Sequence, residues 1–323
     1  MTQKIVETAY AKLDAAHFMD GLFVPTRGKK RERLFVAPKI INNIEVSFQG
    51  FEQLGDDDQS ILYALSGQLG LNGLFINKEP PAENGAQLRL ALEFNEDDGG
   101  RVAVKSTTLR SLLIDAGYPP NKSTNFVKDC LNRLANSQIR EFDLDSGWDR
   151  RCNLISVIFN RKTNAILVAA NPRLTYAIFA TKNQHHIRLS LFERSALDSS
   201  VAKILHAWLC SCIHPGQSIG FGNGIHIDKL GPHIWGGEWE KSSISAKSRK
   251  RNLIREALDE ILEKTRHLHS EGDRTKIDAG WAIEQKTNGV VFISRPLKMP
   301  VWGLTPSEMD ALKPPRSKDY EPL

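Results

Sequence analysis

The sequence predicts an α+β protein made of two tandem winged-helix domains, the helix-turn-helix variant in which three helices are followed by a β-hairpin. Three observations lead there. A chain of 323 residues suits about two domains. The order helix, helix, helix, strands occurs twice along it. The third helix of the second set opens with a basic run, Lys241 to Arg255, that contains no acidic residue.

Composition narrows the class further. Hydrophobic residues make up 41% and charged residues 25%, ordinary values for a globular chain and enough for two cores. The longest apolar runs, such as Ala165 to Ala170, fall far short of the ~20 residues that span a bilayer. The first ten residues, MTQKIVETAY, hold no apolar signal core. Four cysteines cannot form a disulfide scaffold, so a reduced, cytoplasmic protein is expected. The net charge of +5 is mild, and its distribution matters more than its size.

The expected layout is an N-terminal arm (1–33), a first winged-helix domain (34–183), a second, DNA-recognising one (184–296) and a Pro-rich tail (297–323). The arm carries the basic cluster Arg27, Lys29, Lys30, Arg31 and Arg33. In the first domain, DDDQSILYALSGQLG is a helix with acids at its positive end. RVAVKSTTLRSLLIDAG gives a short strand and a helix capped by Ser106 or Thr107. NKSTNFVKDCLNRLANS gives a third helix with Phe126, Cys130, Leu131 and Leu134 on one face and Lys122, Lys128 and Arg133 off it. The strands IREFDL, CNLISVIF and AILVAA follow, and NPRLTYAIFAT is a closing helix.

The second domain opens with LDSSVAKILHAWLCSCI, a helix capped by Asp198 or Ser199 with Val201, Ile204, Leu205, Trp208 and Leu209 on its apolar face. His214-Pro215-Gly216 ends it. A short helix, Asp228 to Ile234, is interrupted at Gly231-Pro232. After the basic helix, WAIEQK and VVFISR are alternating strands joined by Thr287-Asn288-Gly289, a strong hairpin signal.

The basic helix is the most informative element. Ile254, Leu258, Ile261 and Leu262 form an apolar stripe at i, i+4, i+7, i+8. Continued backwards, the same sector holds Lys247, Lys250 and Arg251. The C-terminal half is therefore expected to pack and the N-terminal half to project beyond the core. Lys247, Arg251 and Arg255 repel one another unless an anion meets them. A packed rear and a projecting cationic front suit entry into a major groove. Ser243 and Ser245 at the start can cap the helix or donate to phosphate. The expected DNA-binding set is Ser243, Ser245, Lys247, Arg249, Lys250, Arg251 and Arg255, with Lys122, Lys128 and Arg133 as a sparser set in the first domain.

Enzyme readings are weaker. His267-Leu268-His269 has the form of a nickase metal triplet, but falls in an expected loop with only Tyr320 downstream. Cys210 and Cys212 lie one residue apart on a helix and face apart, with no second Cys pair for zinc. No lysine follows Gly220, Gly222 and Gly224 as a phosphate loop requires. No catalytic residue, metal or cofactor is expected. A winged-helix transcriptional regulator is an alternative that fold alone leaves open.

The segments LGDDDQSILYALSGQLGLNGL, QLRLALE, HIRLSLFERSALDSSVAKILHAWLCSCI and RKRNLIREALDEI resemble RepC, the replication initiator of IncQ-type plasmids, over about Leu34 to Pro296. The resemblance implies two winged helices on double-stranded origin DNA at tandem repeats (iterons). It also implies a partner helicase and primase, and no catalysis by the chain itself. Arg249, Lys250, Arg251 and Arg255 match basic positions of that family's second recognition helix.

Overall fold

The computed structural model describes residues 10–26, 30–72, 74–76, 102–160, 162–163, 165–179, 186–270 and 280–297. The chain is a mixed α/β protein in which small antiparallel sheets are packed with nine α-helices among the described residues.

Its centre is helix α1 (Asp56–Asn72). The consecutive residues Ile61, Leu62, Tyr63, Ala64 and Leu65 are all buried. A helix apolar round its whole circumference is stable only when surrounded. Strand β1 (Tyr10–Leu13), strand β5 (Val102–Thr108), helix α2 (Leu109–Asp115) and helix α3 (Thr124–Ala135) pack against it. The cap of α2 is Thr108, whose side chain accepts from Ser111 N, one residue beyond the expected Ser106 or Thr107. The strand runs that much further before the helix begins.

Two four-stranded sheets flank these helices. In the first, β2 (Leu34–Ile41), β3 (Ile44–Gly50), β6 (Ser137–Asp143) and β7 (Asp149–Asn153) pair in chain order. In the second the order is β4 (Leu74–Ile76), β5, β9 (Ala165–Ala170), β8 (Ile155–Phe159). The run CNLISVIF, expected as one strand, is divided between them at Leu154. Leu154 is buried, its N–H donates to Ser137 O, and its carbonyl accepts from Asn171 N, so the chain changes sheets there. Asn171 then caps helix α4 (Pro172–Ile178), with proline in the first turn.

The second half begins with β10 (Ile187–Ser190), helix α5 (Leu191–Ala196) and helix α6 (Ser200–Cys212). Ser199 caps α6 as expected, accepting from Ala202 N. The short strand β11 (Ile225–His226) leads to a 3-10 turn (Ile227–Lys229), helix α7 (Gly231–Trp235) and helix α8 (Gly237–Glu240). The ring of Trp239 lies on Gly231, where a Cβ would stand 2.2 Å from it. Helix α9 (Ile244–Ser270) has 27 residues and continues through His267–His269, where the sequence suggests a loop. Strands β12 (Ala282–Gln285) and β13 (Val290–Ser294) form the expected hairpin, with Gly289 at φ 83° in the turn. The sheet order is β11-β13-β12.

The two halves share one hydrophobic core. Within the segment expected as an arm, residues 10–26 are built into the fold. Strand β1 pairs antiparallel with β10 across the expected 183/184 division, and Ala11 and Leu13 are buried. Gly21 meets Gly236 backbone to backbone, where a Cβ on Gly236 would lie 2.7 Å from Gly21 Cα. Arg194 of α5 is fully buried and donates to Asp56 O, Gln59 Oε1 and Ser60 Oγ of α1 and to Lys203 O of α6. Residues 298–323, almost all of the expected tail, lie outside the described residues.

Candidate nucleic-acid interface

Helix α9 meets the core with its second half. Ile254, Ala257, Leu258 and Ile261 are buried, and the helix packs on α6 and α5. The hairpin holds its side: Gln285 Nε2 donates to Arg255 O at 3.3 Å and to Asp259 Oδ1 at 2.8 Å. At its start Ser243 is the cap, its hydroxyl accepting from Ala246 N at 3.3 Å and lying 3.1 Å from Ser245 Oγ. Both serines are exposed.

The first half of α9 differs from expectation. Lys247, Lys250 and Arg251 share the buried sector, as the spacing predicts, but they are half-buried against the segment before the helix and do not stand free of the protein. The short helices rise to cover them. Lys247 Nζ sits 5.7 Å from the Trp239 ring centroid, and Lys250 Nζ sits 5.0 Å from that of Trp235. Lys250 also donates to Ser242 Oγ at 2.9 Å and to Glu238 O at 3.2 Å. Arg251 grips Asp228 with both arms of its fork, Nε to Oδ1 and Nη2 to Oδ2 at 3.0 Å. Hydrogen bonding from Arg251 holds the Asp228 carboxyl below its usual range. Aromatic faces and a forked ion pair let a cationic surface pack.

The opposite side of the same turns is open. Arg249 and Arg255 are exposed there, beside Ser245, Ser248 and Asn252. Arg249 makes no hydrogen bond or ion pair among the described residues, and Arg255 Nη1 donates to Asn252 Oδ1 at 2.9 Å. Lys241 before the helix and Lys286 in the hairpin turn add exposed positive charge. Asn252 was not singled out from the sequence. Its place on the exposed side could have been read from the same wheel that located the apolar stripe.

In the first half of the molecule the expected basic set is dispersed. Arg133 Nε donates to the buried Asp58 at 2.9 Å, and Arg31 Nη1 reaches the other Asp58 oxygen at 2.8 Å. Gly55 N donates to the same carboxylate. Lys122 Nζ lies 3.9 Å from the Tyr118 ring centroid and 3.4 Å from that of Phe126. Lys128 is exposed on α3.

One group of metal-ligating side chains converges among the described residues: Glu193, His206 and Cys210, all buried. His206 Nε2 lies 2.9 Å from Glu193 Oε2 and 3.7 Å from Cys210 Sγ. Burial pushes the imidazole down, but Cys210 and Glu193 outweigh it and raise His206 to about 9. The His206 ring stands edge-on to Trp281, and its Nδ1 is buried without a hydrogen-bond partner among the described residues. Cys212 is exposed, on a different face from Cys210. No helix among the described residues is long and apolar enough to cross a membrane.

The model of one protein family, replication protein C (RepC), matches residues 6–280. No curated protein matches the chain.

Proposed function

The chain belongs to the replication protein C (RepC) family of plasmid replication initiators, and from that premise we propose that it binds tandem iterons in the origin as two winged helices. In this reading the domains are 34–183 and 184–296, and the protein acts in the cytoplasm beside a replicative helicase and a primase. Strand order supports two like units. In the second half the strand before the short helices pairs with the last hairpin strand, giving β11-β13-β12, and in the first half β5-β9-β8 repeats this order.

The observation that carries the proposal is the open side of α9. Arg249 and Arg255 are exposed on it beyond a serine-rich start, exposed Lys286 stands in the hairpin turn, and the rear of the second half of the helix is buried in the core. Phosphate contacts supply affinity and position, and the helix face supplies sequence readout. Binding at adjacent repeats then strains neighbouring A·T-rich duplex and brings the helicase to it.

Footprinting on the plasmid's own origin, with salt titration, tests this. Protection repeating at the iteron period, with affinity falling linearly in log salt, is expected. Protection of a single palindrome in a promoter would instead indicate a transcriptional regulator.

A further inference from the structure

The open side of α9 is not simply cationic. A period of 3.6 residues brings Ser245, Ser248, Arg249 and Asn252 together opposite the buried Ile254, Leu258 and Ile261. Glu256 is the first acid on that side, one turn beyond Asn252. Serine and asparagine are poor residues for an exposed helix interior, each roughly half a kcal/mol worse than alanine. No packing compensates for Ser248 or Asn252, because both are exposed. A solvated face would be served better by Lys or Glu.

Asn252 is also oriented. Arg255 donates to its Oδ1, which turns its amide donors away from Arg255. Gln285 of the hairpin donates to the backbone carbonyl of Arg255, which ties the helix backbone there to the hairpin. A fixed planar amide beside an unengaged guanidinium, three residues apart on an open helix face, matches the chemistry of base edges. The fork of arginine fits guanine O6 and N7, and the amide of asparagine fits adenine N6 and N7.

We propose that Arg249 and Asn252 are the base-reading pair of the helix, taking a guanine and an adenine through their major-groove edges, with Arg255 as the positioning residue for Asn252. This rests on the reading that α9 enters duplex origin DNA. Lys250 and Arg251, which face the tryptophans and Asp228, support the helix and do not read sequence.

The test uses the full chain and duplexes of its own origin repeat, in which each purine in turn is replaced by its 7-deaza analogue. That change removes N7 and keeps base pairing. Wild type should lose about 5- to 150-fold in affinity at one adenine and one guanine position. Asn252→Ala should become insensitive at that adenine while keeping its sensitivity at the guanine, and Arg249→Ala should do the reverse. Arg249→Lys should rescue only in part, because an ammonium can reach O6 and N7 but lacks the planar fork. Arg255→Ala should blunt discrimination at the adenine alone. If Asn252→Ala keeps the wild-type 7-deaza profile, or weakens every duplex equally, the base-reading assignment is overturned. If wild type prefers its repeat no more than a scrambled duplex, the DNA-binding reading itself falls. Thermal melting of each variant checks that the exposed substitutions leave the fold intact.

Discussion

Helix α3 in the first half and helix α9 in the second each carry basic residues expected to meet DNA, yet the two helices treat those cations in opposite ways. In the first half, α3 turns Arg133 inward to a buried carboxylate shared with Arg31, and Lys122 before it lies against two aromatic rings. In the second half, α9 divides its cations between two sides. Three are pinned to Trp239, Trp235 and Asp228, while Arg249 and Arg255 stay open. Basic residues on such a helix therefore do not by themselves mark a binding face. What matters is whether the neighbouring element offers them a carboxylate or an aromatic face.

The largest expected effect tests whether the halves are separable at all. Arg194→Ala should cost about 3–5 kcal/mol, because it leaves a cavity and takes a buried donor from Gln59 Oε1, Ser60 Oγ and the carbonyls of Asp56 and Lys203. Urea unfolding of wild type should show one transition. Two transitions, with Arg194→Ala shifting only one, would mean that the halves are independent.

The next effect lies in the second half alone. A folded pKa raised above the unfolded value near 6.5 stabilises below that pH and loses its contribution as pH rises through the folded pKa. His206, at about 9, follows this rule. His206→Gln should therefore cost on the order of 2–3 kcal/mol more at pH 6 than at pH 10. A gap between variant and wild type that stays constant with pH would show that His206 is not a core cation.

The smallest effect sharpens the contrast between α3 and α9. Lys128→Ala should weaken DNA binding alike for all sequences and make the salt slope shallower by about 1. A change in sequence preference would show that the first half also reads bases.

Much of this was legible from the sequence because it is local. The cap at Ser199, the apolar faces of α3 and α6 and the Asn288-Gly289 hairpin all follow from spacings of a few residues. The failures are long-range. A helical wheel locates Lys247, Lys250 and Arg251 in the buried sector but cannot say what will cover them. The tryptophans of HIWGGEWE, just before the basic run, were the available signal. The pairing of β1 with β10 joins residues far apart in the chain, and β1 lies in a segment whose basic cluster suggested a loose arm. Asp58 reads as one of three acids at a helix start, yet it is the buried acceptor that holds two arginines.

The strand pairing between β1 and β10, with Gly21 seated on Gly236, has a geometric consequence. The front of the chain is stitched to the second half, and Arg194 stitches the second half to α1. These ties constrain the distance and rotation between α3 and α9, like the jaws of a set calliper. A duplex engaged by both would have to present its two segments at one helical phase, so the protein would measure spacing as well as sequence. Inserting half a helical turn between those segments should be as harmful as changing the bases themselves.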